Sequence, residues 1–418
     1  MEKLKNKTVA ILRWSEKYTK TDMVYLVSSS FWMNLNTIIT TLFSFLLYIA
    51  FANLIPKEIY GQYQFLISIS SIIGSLTLTG INVAITQAVA RNKEGSFKKS
   101  ILVQLRWGIV PFIFSLFLSA YYLLQNNESI AISVILIGIL LPILNTFNTY
   151  SAFLTGKKDF KRAFFYGQIL NFSYYPAMII SLFFIKNAFG LIAVNLLVNT
   201  TANIILYYLT IKFYKPNTEE DPETITFGKH LSLAGIFSAT ISQFDNILVF
   251  HFLGATSLAI YAFASNIPDR FSGIFKSISN AAFPKFSERS RAELDKEIFQ
   301  KNKRFAFFIF SFFLIYILLA PFFFHIFFPQ YLSSVKYSQA YAIILALGAM
   351  LYLPTTLLNA TKSYKEIYKY NFINSIVNIL LMSFGTFFFG IWGLILSKGI
   401  SNIFNLILFK YLIRKSAT

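Results

Sequence analysis

Twelve apolar runs of about twenty residues or more, separated by short polar stretches, decide what this chain can fold into, because that is the length a helix needs to cross a bilayer. The runs lie near 24–54, 61–90, 101–124, 129–155, 164–186, 189–212, 230–253, 257–284, 305–328, 337–360, 367–388 and 390–412. Only 13% of residues are charged, against roughly a quarter in a soluble domain, and mean hydropathy is +0.58. The chain therefore reads as an all-α membrane protein of about twelve transmembrane helices.

Charge supports the same count. Of 37 Lys and Arg residues, 31 fall in alternate inter-run segments: Lys3–Lys20, Arg91–Arg106, Lys157–Arg162, Lys212–Lys229, Lys285–Arg304, Lys362–Lys369 and Lys410–Lys415. The other set of loops holds only Lys57, Lys186 and Lys336. Positive charge stays on the cytoplasmic side, so both termini are expected inside and the span number even. The net charge of +19 then reports orientation in a bacterial inner membrane, and nucleic acid is not expected as a partner. Residues 1–22 are polar and the first run is too long for a signal sequence, so the first span is expected to be retained.

The polar stretch KFYKPNTEEDPETITFGK, with Pro216 and Pro222, divides the chain nearly in half. The organisation expected is a cytoplasmic segment 1–22, a six-helix lobe 23–213, a cytoplasmic linker 214–228, a second lobe 229–413 and a tail 414–418. The halves resemble each other. IYGQYQF (59–65) matches LAIYAFA (258–264) through Tyr63 with Tyr261, LTGKKDFKR (154–162) matches LNATKSYKE (358–366), and FGLI (189–192) matches WGLI (392–395). An even number of spans per half makes this a parallel repeat, related by an axis along the membrane normal. Six prolines inside the runs (Pro111, Pro142, Pro176, Pro268, Pro321, Pro354) each remove a backbone donor and favour kinks.

Several chemistries are excluded. Without cysteine there is no thiolate metal site, disulfide or thiol nucleophile. No P-loop is present, and His230, His251 and His325 are scattered with no paired metal spacing. The outer loops are turns such as NNES (126–129), too small to carry an enzyme's active site. No catalytic residues, resident cofactor or metal are expected.

The stretch LIPKEIYGQYQFLISISSIIGSLTLTGINVAITQAVAR (54–91) resembles the polysaccharide transporter family, the Wzx-type flippases of lipid-linked oligosaccharides, in the multidrug/oligosaccharidyl-lipid/polysaccharide exporter superfamily. The second half is similar in LGATSLAIYAFA, FPKFSE (283–288), LLNATKSYKEIYKYNFINSIVNILL (357–381) and GIWGLILSKGISN (390–402). The resemblance implies two six-helix lobes around a central cavity and transfer of an undecaprenyl-diphosphate-linked glycan from the inner to the outer leaflet for surface polysaccharide such as O-antigen or capsule. It also implies membrane lipid and other polysaccharide-assembly membrane proteins as partners, and possible coupling to Na⁺ or H⁺.

Ionisable groups within spans are the candidate site residues, because a charge in the bilayer core is costly unless it meets water or a partner. These are Asp245 in the seventh run, Asp269, Arg270 and Lys276 in the eighth, and Lys398 in the twelfth; Arg106 sits about one turn inside the third. Asp269, Gly273 and Lys276 share one helix face. With a lipid diphosphate as substrate, Arg270, Lys276, Lys398 and Arg106 are its candidate ligands. The alternatives are a structural pairing of Asp245 or Asp269 with Arg270, and a snorkelling role for Arg106. Asn371, Asn374 and Asn378 form a polar stripe, as do Asn34, Asn36 and Asn82 on earlier runs. Interhelical hydrogen bonding is one reading of these amides. A coupling site formed by Asp245 and Asp269 with Asn374 and Asn378 is the other. A multidrug or toxin extruder shares the architecture and should carry an acidic cavity; a peptidoglycan-precursor flippase or a lipid-linked-sugar polymerase or ligase are further alternatives.

Overall fold

The apolar runs are helices, and what positions the site is where those helices break and turn back. The computed structural model describes residues 13, 23–280, 291–360 and 364–417. The N-terminal basic residues other than Arg13, the FPKFSE stretch, and Lys362 lie outside the described residues. In chain order the helices are α1 (Met23–Leu54), α2 (Lys57–Ser75), α3 (Ile81–Ala90), α4 (Gly95–Trp107), α5 (Ile109–Leu124), α6 (Glu128–Phe147), α7 (Tyr150–Gly156) and α8 (Phe160–Phe184). They continue as α9 (Ala188–Tyr214), α10 (Thr224–Ser242), α11 (Phe244–Asn280), α12 (Arg291–Phe327), α13 (Ser334–Gly348), α14 (Tyr352–Ala360) and α15 (Tyr364–Ala417). Among the described residues there is no strand.

Eight stretches among the described residues are long and apolar enough to span a membrane. Two of them, 224–279 and 369–409, are too long for one crossing and each contains a helical hairpin. Within α11, Gly254 has φ 83° and ψ 175°, and within α15, Gly390 has φ 61° and ψ −142°, regions open essentially to glycine alone. The turn is visible in the contacts. Tyr261 bonds Asp245, sixteen positions back, which would be about 24 Å away along an unbroken helix. Ser397 bonds the carbonyl of Leu381, and Asn405 bonds Asn374, across the turn in α15. With the shorter helices grouped on either side of their breaks, the described chain makes about twelve crossings.

The run at 61–90, expected as one helix, is broken at 76–80. Leu78 is buried there with φ 59°. Side chains meet the freed polar groups. Trp107 Nε1 donates to the Leu76 carbonyl at 3.0 Å, Asn145 donates to the Thr77 hydroxyl at 2.7 Å, and the Gly80 amide donates to Ser232 Oγ at 2.9 Å. Such replacement partners are what allow irregular backbone at membrane depth. The run at 230–253 is likewise interrupted, between α10 and α11 at Gln243, so Asp245 lies in the first turn of a new helix.

The chain forms two compact units: 1–51 with 69–239, and 52–68 with 240–418. In the second, the first part of α2 packs on α11. The Phe65 and Phe250 rings stack at 3.7 Å, and Asn246 donates to Ser68 Oγ at 3.0 Å. In the first, an aromatic core gathers Phe97, Phe153 and Tyr207. The stretch 216–221 is bound to the α3–α4 turn rather than hanging as a loose tether. Lys93 pairs with Glu219 at 2.8 Å and Lys99 with Glu220 at 2.5 Å. The Asn217 amide donates to the buried Glu94, which also pairs with Lys157. Outward-facing Phe117, Leu124, Phe184 and Leu318 are each more than 70% exposed, a surface suited to lipid and not to water. This is a multi-pass membrane protein.

Candidate functional site

The second unit draws charged and phenolic groups from three of its helices into one network. Asp245, in the first turn of α11, has Oδ1 accepting from the Asn246 amide at 2.9 Å. That end of a helix carries partial positive charge and suits a carboxylate. Its Oδ2 accepts from Lys398 Nζ at 2.6 Å and from the Tyr261 hydroxyl at 2.7 Å. Lys398, on the second arm of α15, also donates to Tyr261 at 2.8 Å and to Tyr341 of α13 at 3.3 Å. The ammonium's three protons thus have three oxygen acceptors. Tyr341 in turn donates to Asp269, at 3.0 Å to Oδ1 and 3.2 Å to Oδ2. Two carboxylates, two phenols and one ammonium therefore tie together both arms of α11, α13 and α15.

The network borders a cavity of about 420 Å³ within this unit. Asp245 and Lys398 line it together with Lys276, Tyr341, Tyr352 and the amides of Asn374, Asn378, Asn402 and Asn405. Lys276 is exposed, its Nζ 5.7 Å from the Tyr352 ring centre. Asn378 donates to Asn374 at 2.5 Å, and Asn405 to the same Asn374 oxygen at 2.7 Å. Among the described residues, the charged groups lining the cavity are one acid and two bases.

Five of the eight residues singled out from sequence therefore line one cavity: Asp245, Lys276, Lys398, Asn374 and Asn378. Asp269 joins them through Tyr341. Arg270 is exposed on the same arm of α11 but is not among the lining residues. Arg106 is an exposed residue in the last turn of α4, in the first unit. The pairing of Asp245 with Arg270 is corrected: the partner of Asp245 is Lys398, because the turn at Gly390 brings the second arm of α15 beside α13, while Arg270 lies one position past Asp269 on an exposed face. Tyr261, Tyr341, Asn402 and Asn405 were not anticipated. The amides had a readable signal, since Lys398, Asn402 and Asn405 recur at i, i+4 and i+7 on one helix face. The tyrosines had little, in a chain with 24 of them.

Among the described residues the chain is an all-helical multi-pass membrane protein, and its second unit holds a charged and amide-lined cavity. Its fold is similar to that of the lipid II flippase MurJ in an inward closed conformation, with TM-score 0.68 and 14% identity over 91% of this chain and 87% of that one. It is also similar to an inward-facing multidrug resistance MATE family transporter of the MOP superfamily, with TM-score 0.67 and 15% identity over 93% and 98%. A MOP superfamily transporter from Pyrococcus furiosus, described as having a binding pocket of reverse polarity, aligns with TM-score 0.51 and 16% identity over 94% and 96%. No curated protein matches the sequence. Residues 26–290 match the profile of the polysaccharide biosynthesis protein family, and the chain belongs to that family.

Proposed function

We propose that the protein is a flippase that carries undecaprenyl-diphosphate-linked oligosaccharide units from the cytoplasmic to the outer leaflet of a bacterial inner membrane, for surface polysaccharide such as O-antigen or capsule. The observation that carries this reading is the charge of the cavity in the second unit: Lys276 and Lys398 against Asp245, with Asp245 already neutralised by Lys398. A cationic drug would meet Asp245 already paired with Lys398, whereas a diphosphate would meet the exposed Lys276, a point charge on a flexible stem beside hydrogen-bonding amides, with Asp269 on the same helix face. Arg270 and Arg106 are candidate contacts for the same headgroup elsewhere along its path.

Lys398 takes a different part. Its three protons are engaged, so it meets substrate only when the network around it opens. A Na⁺ ion or proton that competes for Asp245 would release it, and that exchange is the proposed coupling step, with Asp269, Asn374 and Asn378 as supporting ligands. The lobes 23–213 and 229–413, joined at 214–228, are the proposed moving bodies, with both termini and the linker cytoplasmic. Family membership and the fold shared with a lipid II flippase support the reading. The test is transfer of a fluorescent undecaprenyl-diphosphate saccharide across vesicles containing the purified protein. Transfer by wild type and its loss in Lys276→Glu, at equal protein incorporation, is the expected result; transfer of a cationic dye instead would favour the drug-exporter reading.

A further inference from the structure

A second cavity, of about 300 Å³, lies wholly within the first unit between α1, the α6–α7 break and the start of α8. That volume is at the lower end of the about 300–1,000 Å³ of ligand pockets, fitting one ring and not a long glycan. Trp32, Tyr150 and Phe164 supply aromatic wall, and Asn36 and Asn148 supply amides; among the described residues none that lines it is charged. The Trp32 and Phe164 rings are 5.1 Å apart at 45°.

Two polar groups in this wall await a partner. Tyr150 is only 3% exposed, packs its ring against Tyr166, and makes no hydrogen bond through its hydroxyl among the described residues. The Asn148 side-chain amide makes none either. Both residues line the pocket, so an occupant that hydrogen-bonds to them is favoured. Asn36 is held across the pocket by Gln168, which donates to its Oδ1 at 2.8 Å. Gly167 permits that position, since a Cβ there would lie 2.6 Å from the same oxygen.

An acyl chain would cover the rings and leave the hydroxyl and amide unmet. A diphosphate would find no cation. A pyranose has an apolar C–H face for an aromatic ring and a rim of hydroxyls for amide and phenol, and it carries no charge. We propose that this pocket binds one neutral sugar ring of the lipid-linked substrate, an inference that rests on the flippase reading for the source of the sugar.

The test uses the full chain in lipid nanodiscs without sugar-based detergent, titrated with the methyl pyranosides of glucose, galactose, N-acetylglucosamine and rhamnose, and read by saturation-transfer NMR. At least one probe should bind saturably. Trp32→Leu and Asn148→Ala should each weaken it about tenfold, and Trp32→Phe should largely retain it. Tyr150→Phe removes a hydroxyl with no internal partner, so it should leave thermal stability unchanged and still weaken the sugar about tenfold. Absence of binding by every probe, or binding unchanged in Tyr150→Phe, Trp32→Leu and Asn148→Ala, overturns the proposal. The same preparations are assayed for transfer of an undecaprenyl-diphosphate bearing the bound sugar. Wild-type transfer with no pyranoside binding removes the pocket and keeps the flippase; pyranoside binding lost in the variants, without transfer by wild type, keeps the pocket and removes the flippase.

Discussion

Lys398 and Asp245 lie 153 positions apart and are joined at 2.6 Å, with Tyr261 bonded to both. Both side chains are mostly buried, at 21% and 16% exposure. Removing one partner of a buried pair leaves an uncompensated charge. Asp245→Asn or Lys398→Met alone should therefore destabilise the purified protein by on the order of 3 kcal/mol, while the double variant should recover much of that loss. Thermal unfolding of the four proteins in detergent measures the cycle. Strictly additive losses would show that the two residues are not coupled. The same proteins in vesicles under a Na⁺ or H⁺ gradient test the proposed exchange: Asp245→Asn should abolish the ion dependence of transfer.

Tyr341 both accepts from Lys398 and donates to Asp269, so its hydroxyl links the two carboxylates of the network. Tyr341→Phe should keep the fold, lower stability by about 1–2 kcal/mol, and alter the ion dependence of transfer. A variant with wild-type stability and wild-type ion response would remove Tyr341 from the coupling path.

Lys276 is exposed and should contribute little to stability. Lys276→Glu is expected to cut transfer more than about tenfold with thermal unfolding unchanged, and Lys276→Arg should be milder but not silent. Normal surface polysaccharide in cells carrying Lys276→Glu, at normal protein level, is the result that would sink the cationic-cavity reading.

Orientation is tested at Glu220, which pairs with Lys99 and stays partly exposed. The chain has no cysteine, so Glu220→Cys introduces a single thiol. An impermeant thiol reagent should leave it unlabelled in intact cells and label it once the membrane is opened. Labelling in intact cells would reverse the proposed topology.

The bound stretch 216–221 has a pH signature of predictable sign. Hydrogen bonding from Lys93, then its charge, holds the Glu219 carboxyl below its ordinary value. A group whose pKa is lowered on folding stabilises above its unfolded value and loses that contribution as pH falls through the folded one. The Lys93–Glu219 contribution to holding the segment should therefore be present at neutral pH and be lost as pH falls below the ordinary glutamate value. A protease active in acid should cut 216–221 faster below that point than at pH 6, and Lys93→Ala should narrow the difference.

Much of the architecture follows from local sequence, because a bilayer imposes a length and a polarity that hydropathy and Lys/Arg placement record directly. The helical class, about twelve crossings, and the charges within the spans, Asp245, Asp269, Lys276 and Lys398, are all legible in that way. Helix breaks at 76–80 and at Gln243 were not, since the groups that make the first tolerable come from Trp107, Asn145 and Ser232, far along the chain. Nor did composition reveal that 216–221 is bound to the α3–α4 turn, a stretch that by its prolines and charges reads as a connector.

Pairing was decided by tertiary structure alone. Sequence left a pairing of Asp245 or Asp269 with Arg270 as one alternative. The turns at Gly254 and Gly390 fold two long apolar stretches back on themselves, and so bring Tyr261 and Lys398 to Asp245. Sequence by itself determined that these charges must meet water or a partner, because the bilayer core does not tolerate them otherwise. Which charge meets which depends on backbone turns of two glycines, and no helical periodicity encodes that geometry.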